Sequence, residues 1–316
     1  METDFRLYQV AKLYYLERMK QNSIAELLGI SNIQVSRLLK RAEKEGVVTF
    51  RVEAPNSINW TLGAKLKEKF PQLKEAIVVA AGDAGNARDL VGNAAAKYVH
   101  SLLADNSIMG ISWGRTILAF VKALDVCNCE DVKVFQMSGG FLLPENTDLM
   151  PSNMVKMAGN RLKAESYIWN APLFVASREV RSSLMLDPSL QYVEELGQRM
   201  DVAVFGISGL REESTMRSTG VITPRDAKEL ESLGAVGDVM GHFIDHRGRG
   251  VAWSKAERCM GTQLSTVANT KHAICLATGS AKEPVLRLAI EHRYCNTVII
   301  SSDLASSLMN ETLEGN

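Results

Sequence analysis

Two sets of side chains in this sequence have types and spacings that could do chemistry. The first lies between residues 31 and 44, where Arg37, Lys40, Arg41 and Lys44 stand against a single acid, Glu43. Ser31, Asn32, Gln34 and Ser36 precede or interleave with them. Asn and Gln can pair with adenine and Arg with guanine, while Lys mostly holds phosphate, so the mixture suits duplex DNA. The ordinary alternative is an amphipathic helix with a solvated basic face.

The second set is a series of small, polar sequences that follow apolar runs. In ISWGRT (111–116), Ser112, Gly114 and Thr116 combine hydroxyls, backbone access and the free N–H groups of a helix start, which together can bind an anion or phosphate. SGG (138–140), GISG (206–209) and TGSAK (278–282) occupy comparable places. Lys282 falls where a helix begins and can hold a phosphate as a point charge. GDVMGHFID (237–245) offers Asp238 and Asp245 as acceptors for sugar hydroxyls. Taken singly, each is also what any strand-to-helix turn, exposed lysine or surface carboxylate would look like. Arg217 is a further cation of less definite place.

The elements that must position these groups can be read from periodicity. A first helix runs from about Phe5 to Met19, with Leu7, Val10, Leu13 and Tyr14 at helical spacing. Ile24, Leu27 and Leu28 mark a short second helix that Gly29 stops as a left-handed cap. Ser31 then caps a third helix carrying Val35, Leu38, Leu39 and Ala42 on one face and ending at Gly46. Two short helices across a tight glycine turn suggest helix-turn-helix, whose second helix enters the major groove. VVTFRVEA (47–54) reads as strand material for a wing, and Pro55-Asn56-Ser57 breaks the chain. TLGAKLKEK (61–69) is one more helix, serving as a linker or a dimer contact.

From about Ala76 the pattern changes. The apolar runs 76–81, 107–112, 132–138, 201–208, 271–278 and 296–302 alternate with helical stretches, including 88–103 and 114–124. That alternation implies βαβ units and a parallel sheet covered on both faces. In such sheets ligands bind beyond the C-terminal strand ends, where the small polar sequences lie. The expected division is a helix-turn-helix domain at 1–55, a linker helix at 56–75 and an effector domain at 76–316.

Composition agrees with a two-domain globular chain. Its 316 residues are 46% hydrophobic and 23% charged, which excludes disordered and fibrous classes. The 36 basic and 36 acidic residues cancel, but not locally. Residues 1–55 hold nine basic and seven acidic side chains, and residues 31–44 alone reach +3. Five cysteines without a CxxC pair argue against a disulfide framework or a zinc site. His242 and His246, four apart, could share a helix face, but without a third ligand a packing or capping role is expected. There is no signal core and no run of 18 apolar residues, so neither a leader nor a membrane span is expected, and a reducing cytoplasm is the expected location. No Walker loop, GxGxxG or GxSxG nucleophile elbow is expected, so NTPase, dinucleotide and serine-hydrolase chemistry, metals and cofactors are not expected.

The stretch 10–48, with Tyr14-Tyr15, Ile24-Ala25, LGIS (28–31) and VSRLL (35–39), resembles the SorC/DeoR-type family of sugar-responsive transcriptional regulators. It departs from the family at Lys20, where a capping Thr is usual, which leaves Asn22 or Ser23 to cap the second helix. GISWGRT, SGG, NAP (170–172), AVGDVMGHFID and NTVIISSD extend the resemblance over about residues 60–310. It implies a doubly wound sugar-binding domain similar to sugar-phosphate isomerases and CoA transferases, joined to a winged helix-turn-helix. It also implies that Ser112, Gly114, Arg115, Thr116, Gly139, Asp238 and Lys282 line the effector pocket, and that the protein is a tetramer; reading operator DNA with paired heads on half-sites by itself requires at least a dimer. The reading is therefore a regulator controlled by a sugar or sugar phosphate, and not an enzyme. The alternative is an isomerase-like enzyme with an appended helical domain. Such an enzyme needs a carboxylate base beside the substrate carbon; Asp238 is the nearest candidate, with no convincing second group.

Overall fold

A computed structural model describes residues 2–48, 58–80, 86–210 and 214–310. Contacts divide the chain into two compact units, residues 1–55 and 56–316.

The small unit is three helical segments. Helix α1 (Glu2–Ala11) continues as one π-helical stretch, Lys12–Leu16, and is followed by α2 (Gln21–Leu28) and α3 (Asn32–Lys44). Leu7, Val10, Ile24, Val35, Leu39 and Ala42 are buried, as their spacing requires. Gly29 closes α2 at φ +63°, and the Ile30 N–H reaches back to the Ala25 carbonyl at 3.0 Å. A left-handed residue of this kind ends a helix at least cost when it is glycine. The α2 N-cap is Lys20, with no side-chain capping bond, so neither Asn22 nor Ser23 caps the helix. Tyr15 Oη donates to Glu43 at 2.6 Å, tying the end of the first helical segment to α3. The expected wing falls largely on 49–57, outside the described residues; at its start, the Val48 N–H bonds the Ala42 carbonyl.

The large unit opens with α4 (Trp60–Lys69), the helix expected as a linker, which packs on β1 (Glu75–Val79) and buries Leu66. Then come α5 (Ala87–His100), β2 (Ile108–Ile111), α6 (Arg115–Ala123), β3 (Lys133–Gln136), α7 (Pro151–Leu162), β4 (Glu165–Tyr167), α8 (Arg178–Leu184) and α9 (Pro188–Arg199). The chain continues through β5 (Val202–Gly209), α10 (Thr215–Ser218), α11 (Pro224–Ser232), β6 (Ala235–Val239), β7 (His242–Asp245) and α12 (Leu264–Ala268). It finishes with β8 (His272–Ala277), α13 (Glu283–Glu291), β9 (Thr297–Ser301) and α14 (Ser302–Met309).

Seven strands form a parallel sheet in the order β1-β9-β8-β5-β2-β3-β4. The central strands β8 and β9 are apolar between their ends and almost wholly buried, as strands covered on both faces must be. With this strand order, the right-handed crossover rule assigns α5, α6 and α7 to one face and α9 and α13 to the other. Accordingly α6 packs against both α5 and α7, while α14 packs against both α4 and α13.

The order contains one reversal that matters for function. From β2 the chain proceeds through α6 toward β3, whereas from β5 it proceeds to β8, on the opposite side. Neighbouring strands that send the chain in opposite directions leave a crevice at their C-terminal ends. β5 is also longer than its neighbours. Its first half pairs with β2 and β8, and Ile207–Gly209 pair antiparallel with β6. The β6–β7 hairpin turns through Met240 and Gly241, both at positive φ, as a tight two-residue hairpin turn demands.

Candidate functional site

The crevice between β2 and β5 is a cleft of about 320 Å³. Six of the seven residues expected to meet an effector line it: Ser112, Gly114, Arg115, Thr116, Asp238 and Lys282. They come from separate places. Ser112 follows β2, Arg115 and Thr116 open α6, Asp238 sits on β6, and Lys282 directly precedes α13. The doubly wound order brings these strand and helix ends together.

Gly139 does not line this cleft. Its N–H donates to the Met260 carbonyl at 2.9 Å, and a Cβ there would lie 2.5 Å from the Pro172 carbonyl oxygen. Its glycine serves a close backbone approach behind β3, one strand away from the switch point. Gly140 lines a separate groove of about 790 Å³. Between the two cavities, Trp113 and Phe141 meet edge to face at 5.6 Å.

The cleft has an anion-binding side. Gly114 is the N-cap of α6 at φ +130° and makes no side-chain capping bond. The first N–H groups of any helix lack intrahelical acceptors, and the helix dipole places positive potential there. Arg88, Arg115 and Lys282 add three cations to the lining. Burial pushes the Lys282 ammonium below its usual range, and Arg88 and Arg115 push the same way, while Cys275 and Asp238 partly oppose them.

Asp238 supplies the opposite character. Only 4% exposed, it receives a hydrogen bond from the Ser208 hydroxyl on one oxygen and from the Gly241 N–H, at 2.9 Å, on the other. The hairpin register sets both, because Ser208 lies opposite Asp238 and Gly241 is in the turn. Burial raises the Asp238 carboxyl above the usual aspartate range, against the pull of those two bonds and of Lys282.

Arg88, Trp113, Ser208, Thr215 and Met240 also line the cleft and were not singled out from the sequence as ligand contacts. Arg88 lies in the first turn of α5, the helix that follows β1, so the strand-end rule applied to that turn as well would have found it. Ser208 stands inside GISG, one of the small polar strand-end sequences. Contrary to the expectation of no GxSxG elbow, Gly110, Ser112 and Gly114 have G-x-S-x-G spacing on a strand-to-helix turn, the arrangement of a hydrolase nucleophile elbow. Ser112 is buried, however, and its hydroxyl accepts the Gly206 N–H at 3.2 Å. Among the described residues no histidine lines the cleft to act as its base. His242 is on strand β7, not on a helix with His246, and its Nε2 lies 3.1 Å from the Thr262 carbonyl.

On the small unit, α3 presents its basic face to solvent. Val35, Leu39 and Ala42 are buried, while Asn32, Ile33, Arg37, Lys40 and Lys44 are exposed. Ser31 and Gln34 form a capping box: Ser31 Oγ accepts the Gln34 N–H at 3.2 Å, and Gln34 Oε1 accepts the Ser31 N–H at 2.9 Å. Those two side chains thus fix where the helix begins. Arg41 Nε is 2.6 Å from Glu45 Oε1, one turn further along α3. The foremost exposed polar groups on α3 are Asn32, Arg37 and Lys40, with Ser36 half-buried beside them.

Residues 55–310 match the family model Sugar-bind, described as a sugar-binding domain. The chain belongs to that family. It is 27% identical over 305 residues to the deoxyribonucleoside regulator of Bacillus subtilis, covering 96% of each chain. It is 27% identical over 310 residues to the sorbitol operon regulator of Klebsiella pneumoniae, covering 97% of this chain and 98% of that one. The crystal structure of full-length SorC, the sorbitol operon regulator from Klebsiella pneumoniae, superposes with a TM-score of 0.73 over 97% of this chain and 99% of its own, at 27% identity. A DeoR family transcriptional regulator from Listeria monocytogenes gives a TM-score of 0.73 at 27% identity, covering 79% of this chain and 98% of its own. The resemblance to SorC/DeoR-type regulators thus extends along nearly the whole chain. Among the described residues, no helix is long and apolar enough to cross a membrane, and no cluster of ligating side chains could hold a metal ion.

Proposed function

We propose that this protein is a cytoplasmic transcriptional regulator of a carbohydrate-utilisation operon, and that a phosphorylated sugar in the cleft controls its binding to operator DNA. Helix α3 enters the major groove. Asn32, Ser36 and Arg37 meet base edges, Lys40 and Arg41 hold phosphate, and Ser31 and Gln34 fix the helix start from which they project. In the cleft the first turn of α6, with Arg115, Thr116, Arg88 and Lys282, takes the phosphate. Asp238, its carboxylate already oriented by Ser208 and Gly241, accepts sugar hydroxyls, and Ser112 and Gly114 shape the floor.

The observation that carries this reading is the convergence of three cations and an uncapped helix start on one cleft of a sugar-binding family member. Three cations facing a single carboxylate favour an anionic ligand over a neutral sugar. Control of DNA binding requires different ligand affinities in the DNA-competent and incompetent states. Paired heads are needed to read two half-sites, so the working form is a homodimer or homotetramer.

The test pairs a genomic binding selection with a thermal-shift panel of sugars and their phosphates. A ligand that binds only the folded state raises its melting temperature, by an amount that grows with concentration over Kd. The expected result is sequence-specific retention of duplex DNA and a sugar phosphate that both stabilises the protein and changes that retention. Failure to retain any sequence, with or without ligand, would sink the proposal.

A further inference from the structure

The small unit exposes several large apolar side chains, Phe5, Leu16 and Leu27 among them, and one more lies on the basic face of α3. Ile33 is the second residue of α3 and 68% exposed. On a helix of 3.6 residues per turn, positions 33, 37, 40 and 44 share one face, opposite the buried Val35, Leu39 and Ala42. The other three are Arg37, Lys40 and Lys44. An exposed apolar residue is unremarkable alone. Here it heads a line of cations at the end of the helix that reaches deepest into a major groove. It is also β-branched, a type that helices only weakly favour, so local helix propensity does not account for it. The capping box ties up Gln34 Oε1, and Asn32 lies toward the flank, which leaves Ile33 at the centre of the leading turn.

The major groove displays one apolar group, the 5-methyl of thymine. We propose that Ile33 is a specificity-determining residue that packs on a thymine methyl and so selects a T·A pair beside the base read by Arg37. The proposal rests on the DNA-binding reading of α3. The contact is hydrophobic and adds no hydrogen bond; removing one methyl from it forfeits about fourfold in affinity, equivalent to about 0.8 kcal/mol.

The experiment uses the full chain and a duplex selected by it from a random pool. Each thymine in turn is replaced by deoxyuridine, which keeps every hydrogen bond and lacks only the methyl group. For the unaltered protein, one position should cost about fourfold, while for Ile33→Ala the same replacement should cost nothing. Because Ile33 is exposed, the variant should keep its melting temperature. The inference is overturned if no thymine is methyl-sensitive, or if Ile33→Ala keeps the full sensitivity. A protein that selects no sequence at all would instead remove the DNA-binding reading, and this inference with it.

Discussion

The two units display functional residues in opposite ways. The small unit is convex at its candidate site: Asn32, Arg37 and Lys40 come from one helix, within nine residues of each other, and all point to solvent. The large unit is concave at its site. Ser112 and Lys282 are 170 residues apart with Asp238 between them, and the three meet because the sheet order reverses between β2 and β5. A convex site on one helix requires only that the helix form and that its other face be buried. A cleft at a switch point requires the whole sheet.

This difference can be tested by breaking each side separately. The largest effect is expected from Leu39→Ala, which removes a fully packed side chain from the small core and should cost that unit about 2–5 kcal/mol. A small helical unit has few such contacts to spare. Calorimetry should show its transition lost or lowered while the large unit melts as before. A common shift of both would mean that the units do not melt separately.

Next is Lys282→Ala, which should weaken a phosphorylated effector by about 1.5–3 kcal/mol, the range for a hydrogen bond to a charged group. Thermal shift should register the loss, and effector-free DNA binding should be unchanged. On the convex side, Arg37→Ala should cost about 1–3 kcal/mol of DNA binding and relax specificity at one base pair. If affinity falls equally on all sequences, the residue holds phosphate instead. Ser31→Ala should cost about 1 kcal/mol of small-unit stability through loss of the cap, seen as an earlier first transition.

The smallest effect is a change of slope. Burial holds the Asp238 carboxyl above its unfolded value, so the folded state binds that proton more tightly than the unfolded chain. Its contribution favours folding below the ordinary aspartate range and is lost as pH rises through the raised value. Asp238→Asn should flatten that part of the stability-versus-pH curve in the large unit. An unchanged slope would assign the pH dependence to other groups.

How much could be read from the sequence follows the same division. The three helices, the Gly29 turn and the buried face of α3 were legible because periodicity and capping are local. The six apolar runs from 76 to 302 all proved to contain strands, since a strand buried on both faces is a continuous apolar run. Short β4 and the β6–β7 hairpin were not legible. β4 is three residues of ordinary polarity, and in GDVMGHFID the two glycines and the carboxylates interrupt the apolar alternation of a hairpin. Gly139 lies away from the cleft for a related reason: it ends a strand that is not beside the reversal, and strand order is not written in any local pattern.

The sequence by itself determined the elements, the basic helix and the chemical inventory of the strand ends, because these depend on neighbours a few residues apart. Tertiary structure decided which strand ends share a cleft, that Asp238 is buried and held by Ser208 and Gly241, and that Gly139 serves packing. The physical reason is that burial and pairing across 30 to 170 residues depend on strand order, crossover direction and hairpin register, and these become fixed only when the whole sheet assembles.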